Sequence, residues 1–166
     1  MLLEIRKDPD PILREKTVKV KDPLAPEIQE LILNMVETMK HAQGVGLAAP
    51  QVGQSLRLCI IEVEGTLYVL INPKITAKSK NKVILEEGCL SFPGIFLPIS
   101  RASQVQVRYL DQTGKPQKIK ADGLLSQALQ HEIDHLDGVL FIDRLKKSKI
   151  KKKCHAELVS ASAYFN

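Results

Sequence analysis

The feature that most constrains this chain is a helix-like segment that carries two histidines four positions apart. In QALQHEIDHLDG, Glu132 directly follows His131, and His135 comes one helical turn later. On an α-helix, side chains four positions apart share a face, with Cβ atoms about 5–6 Å apart. Both imidazoles can therefore reach one metal ion, while the glutamate lies at the flank of that face, where it can act as a base toward water. For the histidine pair alone, two packed and hydrogen-bonded core histidines remain the alternative.

The residues around this pattern predict a helix over residues 123–137. Asp122 can cap its first turn, and Gly138 can end it. The apolar residues fall mostly on one side of that helix, at Leu124, Leu125, Ala128, Leu129 and Leu136. Such a helix has to bury its apolar side, so the upstream chain must supply a core.

The chain upstream of this segment predicts a second helix and a sheet. Residues 26–39 carry apolar side chains at helical spacing behind Pro26, which suits the first turn of a helix. After a glycine-rich loop at 44–53 come runs typical of strands, at 56–63, 67–73, 82–85, 104–110 and 117–120. This order predicts an α+β fold, in which antiparallel or mixed sheets pack around a central C-terminal metal-binding helix, with a helix at the N-terminus.

Length and composition favour one globular domain. The chain has 166 residues, of which 44% are hydrophobic, enough for a sizeable core. No apolar run approaches the roughly 18 residues of a membrane span, and the start lacks the apolar region of a signal peptide. Cys59, Cys89 and Cys154 are spaced irregularly, which suits reduced thiols or a metal ligand. We therefore expect a cytoplasmic protein with no membrane partner.

The positive charge is concentrated near the C-terminus. Residues 144–153, RLKKSKIKKK, hold seven of the 24 basic residues and no acid, although the whole chain carries a net charge of +5. The remaining 17 basic residues face 19 acidic ones. The excess positive charge therefore lies in this segment and not in the rest of the chain. The segment is either a solvated helix face or a surface that attracts RNA or another polyanion.

A hydrolytic metal site needs about three protein ligands, so a third ligand decides the interpretation of the histidine pair. After Gly138 the remaining histidine is His155, which lies beyond the lysine run. Upstream, EEGCLSFPG places Cys89 in what we interpret as an exposed loop, whereas Cys59 lies in an apolar strand, where a thiol is inert core. Cys89 is the candidate third ligand.

Three motifs together resemble the signatures of the peptide deformylases. GVGLAAPQ, EGCLS and QHEIDH occur in this order, and the resemblance covers about residues 1–150, leaving 151–166 as a basic, irregular tail. It implies a hydrolase that removes the N-formyl group from the initiator methionine of newly synthesised polypeptides and releases formate. It also implies one divalent metal ion held by Cys89, His131 and His135, with Fe²⁺ as the native ion and Zn²⁺, Ni²⁺ or Co²⁺ able to substitute.

The resemblance also implies roles in catalysis and substrate binding. Glu132 is expected to take a proton from the attacking water and deliver it to the departing amine. The Gln51 side-chain amide and the Leu90 backbone N–H are expected to stabilise the oxyanion, and the main chain of Gly46 is expected to bind formyl-methionine. A slot for the methionine side chain is predicted, with plain core packing as the alternative, from Val45, Leu90, Leu124 and Ala128.

Two further details concern the surroundings of Cys89. Glu87 and Arg101 stand where the family has an acid and an arginine, and they are predicted to form a supporting pair around the cysteine, with an ordinary exposed and individually weak ion pair as the alternative. Phe96 departs from the family pattern, because some members carry arginine there. Peptide preference beyond formyl-methionine is therefore left open.

Two other functions are compatible with parts of the sequence, but neither accounts for all three motifs. A zinc metallopeptidase would share H-E-x-x-H, but the chain lacks a downstream third ligand. A non-enzymatic RNA-binding module would need only the basic segment and would leave the three motifs unexplained. The expected partners are formyl-methionine nascent peptides and, through lysines 146–153, the ribosome, with no DNA.

Overall fold

The structure is a computed structural model that describes residues 1–145. Two α-helices lie in this range, α1 at Pro26–His41 and α2 at Gly123–Leu136. The strands in chain order are β1 Gly46–Ala48, β2 Leu58–Val63, β3 Thr66–Lys78, β4 Lys82–Cys89, β5 Phe92–Ala102, β6 Gln104–Leu110 and β7 Pro116–Asp122. Short 3₁₀ turns occur at Pro11–Arg14, Ala49–Val52 and Phe141–Arg144.

Within residues 1–145, seven strands form two separate antiparallel sheets. One sheet has five strands in the order β1-β2-β3-β6-β7, and the other is the hairpin of β4 and β5. Every neighbouring pair of strands is antiparallel. The strands β1 and β4 lie at sheet edges, because each pairs with one strand within the described chain.

The five-stranded sheet is buried on both faces along β2 and the middle of β3, which explains the unbroken apolar runs in these two strands, whereas β6 and β7 have exposed residues on one face. Side chains alternate along β2, so Leu58 and Ile60 pack in one cluster with α1, while Cys59 and Ile61 pack in another with α2. Burial of an aliphatic side chain of this size stabilises the fold by about 1.5–3 kcal/mol. The two helices therefore lie on opposite faces of one sheet.

Helix α2 is enclosed on all sides, because every residue from Ser126 to Leu136 is buried. One of its sides packs on the five-stranded sheet, and hydrogen bonds join another to the hairpin. The Gln130 side chain accepts from the Ala102 N–H at 3.1 Å and donates to the Ala102 carbonyl at 2.9 Å. The Gln127 amide donates to the Glu86 carbonyl at 3.1 Å. The buried polar groups of the helix thus align it with β4 and β5.

The α+β fold, both helices and the antiparallel sheets confirm the sequence predictions, but the loop predicted at 44–53 was wrong in part, because it contains strand β1 and a 3₁₀ turn. The strand predicted at 82–85 continues to Cys89, and Phe92–Ala102 is a strand that was not predicted. Its Pro and Gly residues are typical of a loop, but pairing with β4 outweighs that local preference.

The predicted ends of α2 had different outcomes. Gly138 ends the helix in the left-handed region, with φ of 71°. Asp122 precedes the first turn, but its side chain makes no capping hydrogen bond there. None of the helices within residues 1–145 is both long enough and apolar enough to cross a membrane.

Candidate metal centre

Three potential metal ligands converge where the end of β4 meets α2. One ligand atom from each of Cys89, His131 and His135 lies within 4.8 Å of the other two. The Cys89 Sγ is 3.3 Å from Nε2 of His135, and the two imidazole centroids are 5.0 Å apart. Cys89 is half-buried at the end of a strand, not in an exposed loop as expected. The hairpin therefore presents the thiol to the histidine face of the helix.

The chemistry of these donors fits a divalent metal ion. Burial lowers the pKa of His131, but hydrogen bonds with Cys89 and Glu87 outweigh burial and raise that pKa to about 10, so the centre stabilises positive charge. Burial lowers the pKa of His135, which keeps that ring neutral, as a metal ligand must be. A thiolate with two imidazoles suits borderline ions such as iron(II), zinc, nickel and cobalt.

A buried ion-pair network holds His131 in place. The ring Nδ1 donates to Glu87 at 2.9 Å, which leaves Nε2 to face the centre. Arg101 donates to both carboxylate oxygens of Glu87, at 2.7 and 2.9 Å, and to Asp134 at 2.5 Å. Asp134 also accepts two hydrogen bonds from Arg144. The network joins α2, the hairpin and the C-terminal 3₁₀ turn.

The predicted ion pair between Glu87 and Arg101 therefore forms, and it is not the exposed, individually weak pair that was the alternative. Both side chains are buried, and the acid bonds to His131 and not to the cysteine. Burial raises the pKa of Glu87, but hydrogen bonds from Arg101 and His131 outweigh burial and lower that pKa to about 2. Glu87 is thus held ionised as the acceptor that orients the histidine ring.

Glu132 lies beside the three ligands with an unused carboxylate oxygen. The side chain is buried, and its Oε2 has no hydrogen-bond partner among residues 1–145. Burial raises the pKa of Glu132 to about 7. Gly46 makes room for this carboxylate, since a Cβ at position 46 would lie 2.8 Å from the Glu132 carboxyl carbon. A carboxylate placed in this way can exchange protons with a bound molecule.

Gln51 is buried in the 3₁₀ turn after β1, with its side-chain amide held at both ends. Its Oε1 accepts from the Ala48 N–H at 2.8 Å. Its Nε2 lies 3.2 Å from Ser91 Oγ and 3.5 Å from Cys89 Sγ, so its N–H groups face the ligand cluster. Sequence reasoning did not single out Ser91, although its position two residues after the cysteine in EGCLS was an available signal.

A cavity of about 480 Å³ opens beside the ligand cluster. The five residues predicted to bind substrate all contribute to its lining, namely Val45, Gly46, Leu90, Leu124 and Ala128. Val45 and Leu124 are exposed at its mouth, whereas Ala128 is buried. The Leu90 side chain lies against Gly44, where a Cβ would be 2.8 Å from Leu90 Cδ1. The cavity is thus apolar at its mouth and polar where it meets His131 and Glu132.

Comparison with known proteins shows to which family the chain belongs. The family model described as polypeptide deformylase matches residues 2–151. A peptide deformylase of Thermodesulfovibrio yellowstonii is 48% identical over 160 residues, which cover 92% of this chain and 96% of that protein. The chain belongs to the polypeptide deformylase family. Peptide deformylases are metal-dependent hydrolases that remove the N-formyl group from nascent peptides, so the sequence interpretation of the enzyme class is confirmed.

Solved peptide deformylases share the fold. The enzyme from Legionella pneumophila is 40% identical and superposes with a TM-score of 0.89, covering 99% of this chain and 96% of that one. The peptide deformylase of Synechococcus elongatus, solved in complex with actinonin, is 42% identical with a TM-score of 0.85, covering 90% of this chain and 81% of that one. The architecture of two sheets around a helix is therefore that of the deformylases.

Proposed function

We propose that Cys89, His131 and His135 hold one divalent metal ion, Fe²⁺ in the cell, and that the cavity beside them receives the N-formyl-methionine end of a nascent chain. The observation that carries this proposal is the convergence of a thiol and two imidazoles beside the unpartnered Glu132 carboxylate. The same donors accept Zn²⁺, Ni²⁺ or Co²⁺. When bound, the ion acts as a Lewis acid that lets water supply hydroxide near neutral pH.

Glu132 moves the proton in this proposal. Its free Oε2 is the acceptor for the proton of the water that attacks the formyl carbon, and the same oxygen then returns the proton to the departing amine. Burial keeps other water molecules from competing for that oxygen. The products are formate and a peptide with a free amino terminus.

Gln51 and Leu90 hold the formyl oxygen as negative charge develops on it. The Gln51 side-chain amide is oriented by the Ala48 N–H, which donates to Gln51 Oε1, and by Ser91 Oγ, which accepts from Gln51 Nε2. The second N–H of Nε2 faces Cys89 Sγ and is the one that donates to the formyl oxygen in this proposal. The Leu90 backbone N–H lies in the turn that follows Cys89 and is the second donor. Donors placed in advance are worth about 10²–10³-fold each in turnover in comparable sites.

The peptide itself is held in an extended form in this proposal. The cavity is bordered by the edge strand β1 and by the edge strand β4, at Gly46 and at residues 86–88. An extended peptide can add to a free strand edge through main-chain hydrogen bonds. Gly46 then binds the formyl-methionine backbone, while the methionine side chain fills the apolar slot of Val45, Leu90, Leu124 and Ala128.

The boundary of the catalytic domain and the setting of the reaction are also proposals. We place the domain at residues 1–150 and the basic tail at 151–166, which is supported by a family match that ends at residue 151. The lysines at 146–153, proposed to contact ribosomal RNA, and the whole tail lie outside the described residues. Because nascent chains emerge from ribosomes, the cytoplasm is the compartment that suits this substrate.

Formate release tests the proposed reaction. Metal-loaded enzyme should release formate from formyl-Met-Ala-Ser and leave acetyl-Met-Ala-Ser and casein largely intact. Glu132→Ala should keep its metal and fold but lose roughly 10²-fold or more in turnover, the usual scale for a positioned acid–base group. Equal rates for the two proteins at matched metal content would remove Glu132 from the mechanism. Casein cleavage without formate release would favour a metallopeptidase.

A further inference from the structure

Phe96 is an aromatic residue that lies largely in solvent at the mouth of the cavity. Its side chain is 63% exposed, yet it lines the cavity together with Leu124 and Val45. Its ring rests on Gly88, the residue before Cys89, because a Cβ at position 88 would lie 2.6 Å from Phe96 Cε1. The ring therefore has a fixed support on one side and an open surface on the other.

The pairing of the hairpin explains why the ring projects at this point. Gly88 pairs with Phe96, but the next pair along β4 is Cys89 with Phe92, so residues 93–95 form an irregular insertion at the cavity edge. Further along β5, the register is regular, with Glu86 opposite Pro98 and Ile84 opposite Ser100. Phe96 is thus the first residue of the regular pairing, on the face of the hairpin that turns away from the core.

The Phe96 ring lies where the residues that follow the methionine of a bound peptide would pass. The polar end of the cavity holds His131 and Glu132, where the proposed function places the formyl group, and the apolar mouth holds Phe96. An extended peptide advances about 3.3 Å per residue, so the chain beyond the methionine has to leave along this mouth. Side chains at the next two positions are those that can reach the open surface of the ring.

We propose that Phe96 is a specificity-determining residue, which selects peptides with an apolar or aromatic side chain at the first or second position after the methionine. The proposal rests on the proposed function, because it assigns a contact to the same bound peptide. An aromatic ring supported on one side loses little conformational freedom when an apolar side chain covers its open surface, and that contact removes apolar area of both groups from water. A hydrophobic contact of this kind is worth roughly 10-fold in discrimination.

The experiment compares two peptide series with the metal-loaded full chain. The series are formyl-Met-X-Ser and formyl-Met-Ala-X, with X as Phe, Leu, Ser or Gly, and kcat and KM are measured for each peptide. Wild-type enzyme should favour Phe and Leu over Ser and Gly by roughly 10-fold in kcat/KM in one series, mainly through KM. Phe96→Ala should abolish that preference while changing kcat/KM for the Ser and Gly peptides by less than about 2-fold. Phe96→Tyr should keep the preference because it keeps the ring.

Ile84→Ala provides the matched control. Ile84 is 72% exposed on the same outward face of the hairpin but does not line the cavity, so its removal should leave the preference intact. An equal preference in wild type and Phe96→Ala, or an equal loss across all peptides, would overturn the inference and leave deformylation standing. Absence of formate release by the wild type with every peptide would overturn the proposed function and the inference together.

Discussion

Gly46 has no Cβ, and the Glu132 carboxylate occupies the space where one would lie. Gly44 stands in the same relation to the Leu90 side chain. From the sequence, both glycines were placed in a glycine-rich loop, in which the main chain of Gly46 is expected to bind the substrate, so that the absence of side chains lets the substrate approach the backbone. The structure shows that the two glycines also let the side chains of Glu132 and Leu90 approach the backbone of this segment, which is a separate reason for glycine at each position.

Gly46→Ala should therefore reduce activity by displacing Glu132. The added methyl group would lie 2.8 Å from the carboxyl carbon, closer than real Cβ contacts, so the carboxylate must shift. We expect turnover to fall by about 10²-fold, the scale of losing a positioned acid–base group, with the metal content unchanged. Formate release and metal analysis on the same samples provide the check. Undiminished turnover would show that the carboxylate tolerates displacement.

Substitution of any proposed ligand should abolish metal binding. Cys89→Ser, His131→Ala and His135→Ala each leave two protein donors where about three are needed. Cys59→Ala is the matched control for the cysteine, because Cys59 is fully buried in the core near α2 and burial raises the pKa of its thiol. Metal analysis after gel filtration should find about one ion per chain in wild type and in the control. Stoichiometric metal in Cys89→Ser would exclude Cys89 as a ligand.

At the scale of elements, the relation of α2 to the hairpin determines whether the ligands meet. Two of the ligands come from the helix and one from β4, so neither element forms the site alone. The Gln130 side chain bonds to both backbone polar groups of Ala102, much as a neighbouring strand would. The Glu87–Arg101–Asp134 network makes a second connection between the same elements.

Gln130→Ala should destabilise the fold by about 1–3 kcal/mol, because it leaves the buried Ala102 N–H without its side-chain partner, while the Ala102 carbonyl keeps the Ser126 hydroxyl. Gln104→Ala is a suitable control, since Gln104 is an exposed glutamine at the start of β6. Urea unfolding curves of the three proteins, all loaded with the same metal, measure the difference. Coincident midpoints for wild type and Gln130→Ala would show that these hydrogen bonds add nothing to stability.

At the scale of the whole molecule, three core clusters of the described part of the chain meet around the site. Two of them lie on opposite faces of the five-stranded sheet, and the third joins the hairpin to the C-terminal 3₁₀ turn. The Phe141 ring of that turn lies 5.3 Å from the Phe92 ring and 5.8 Å from the His131 ring, measured between centroids. The proposed ligands are thus surrounded by packed core on all sides except the cavity.

Removal of the metal should lower the melting temperature of the whole domain. A ligand that binds the folded state alone stabilises it by about 2.7 kcal/mol when its free concentration is 100 times its Kd. Calorimetry before and after chelation, with nickel added back, gives the measurement. Cys89→Ser should melt at the same temperature with and without chelator. If chelation leaves the melting temperature of the wild type unchanged, the metal does not bind preferentially to the folded state, and the proposed site is contradicted.

The sequence by itself determined the features that depend on local spacing. One helical turn places His131 and His135 on one face, and the alternation within β2 supplies apolar side chains to both faces of a sheet. The α+β class followed from the order of such segments, and the third candidate ligand, Cys89, was inferred by comparing the chemical settings of the cysteines.

Tertiary structure alone decided the features that join residues far apart in the chain. Strand β5 forms despite its Pro and Gly residues because β4 pairs with it, and Glu87 is buried because Arg101 and His131 meet it there. Gln130 gave no local signal of its bond to Ala102, since a glutamine on a helix is most often exposed. Periodicity reports which face a side chain occupies, whereas the partner on that face depends on long-range packing, which no short segment contains.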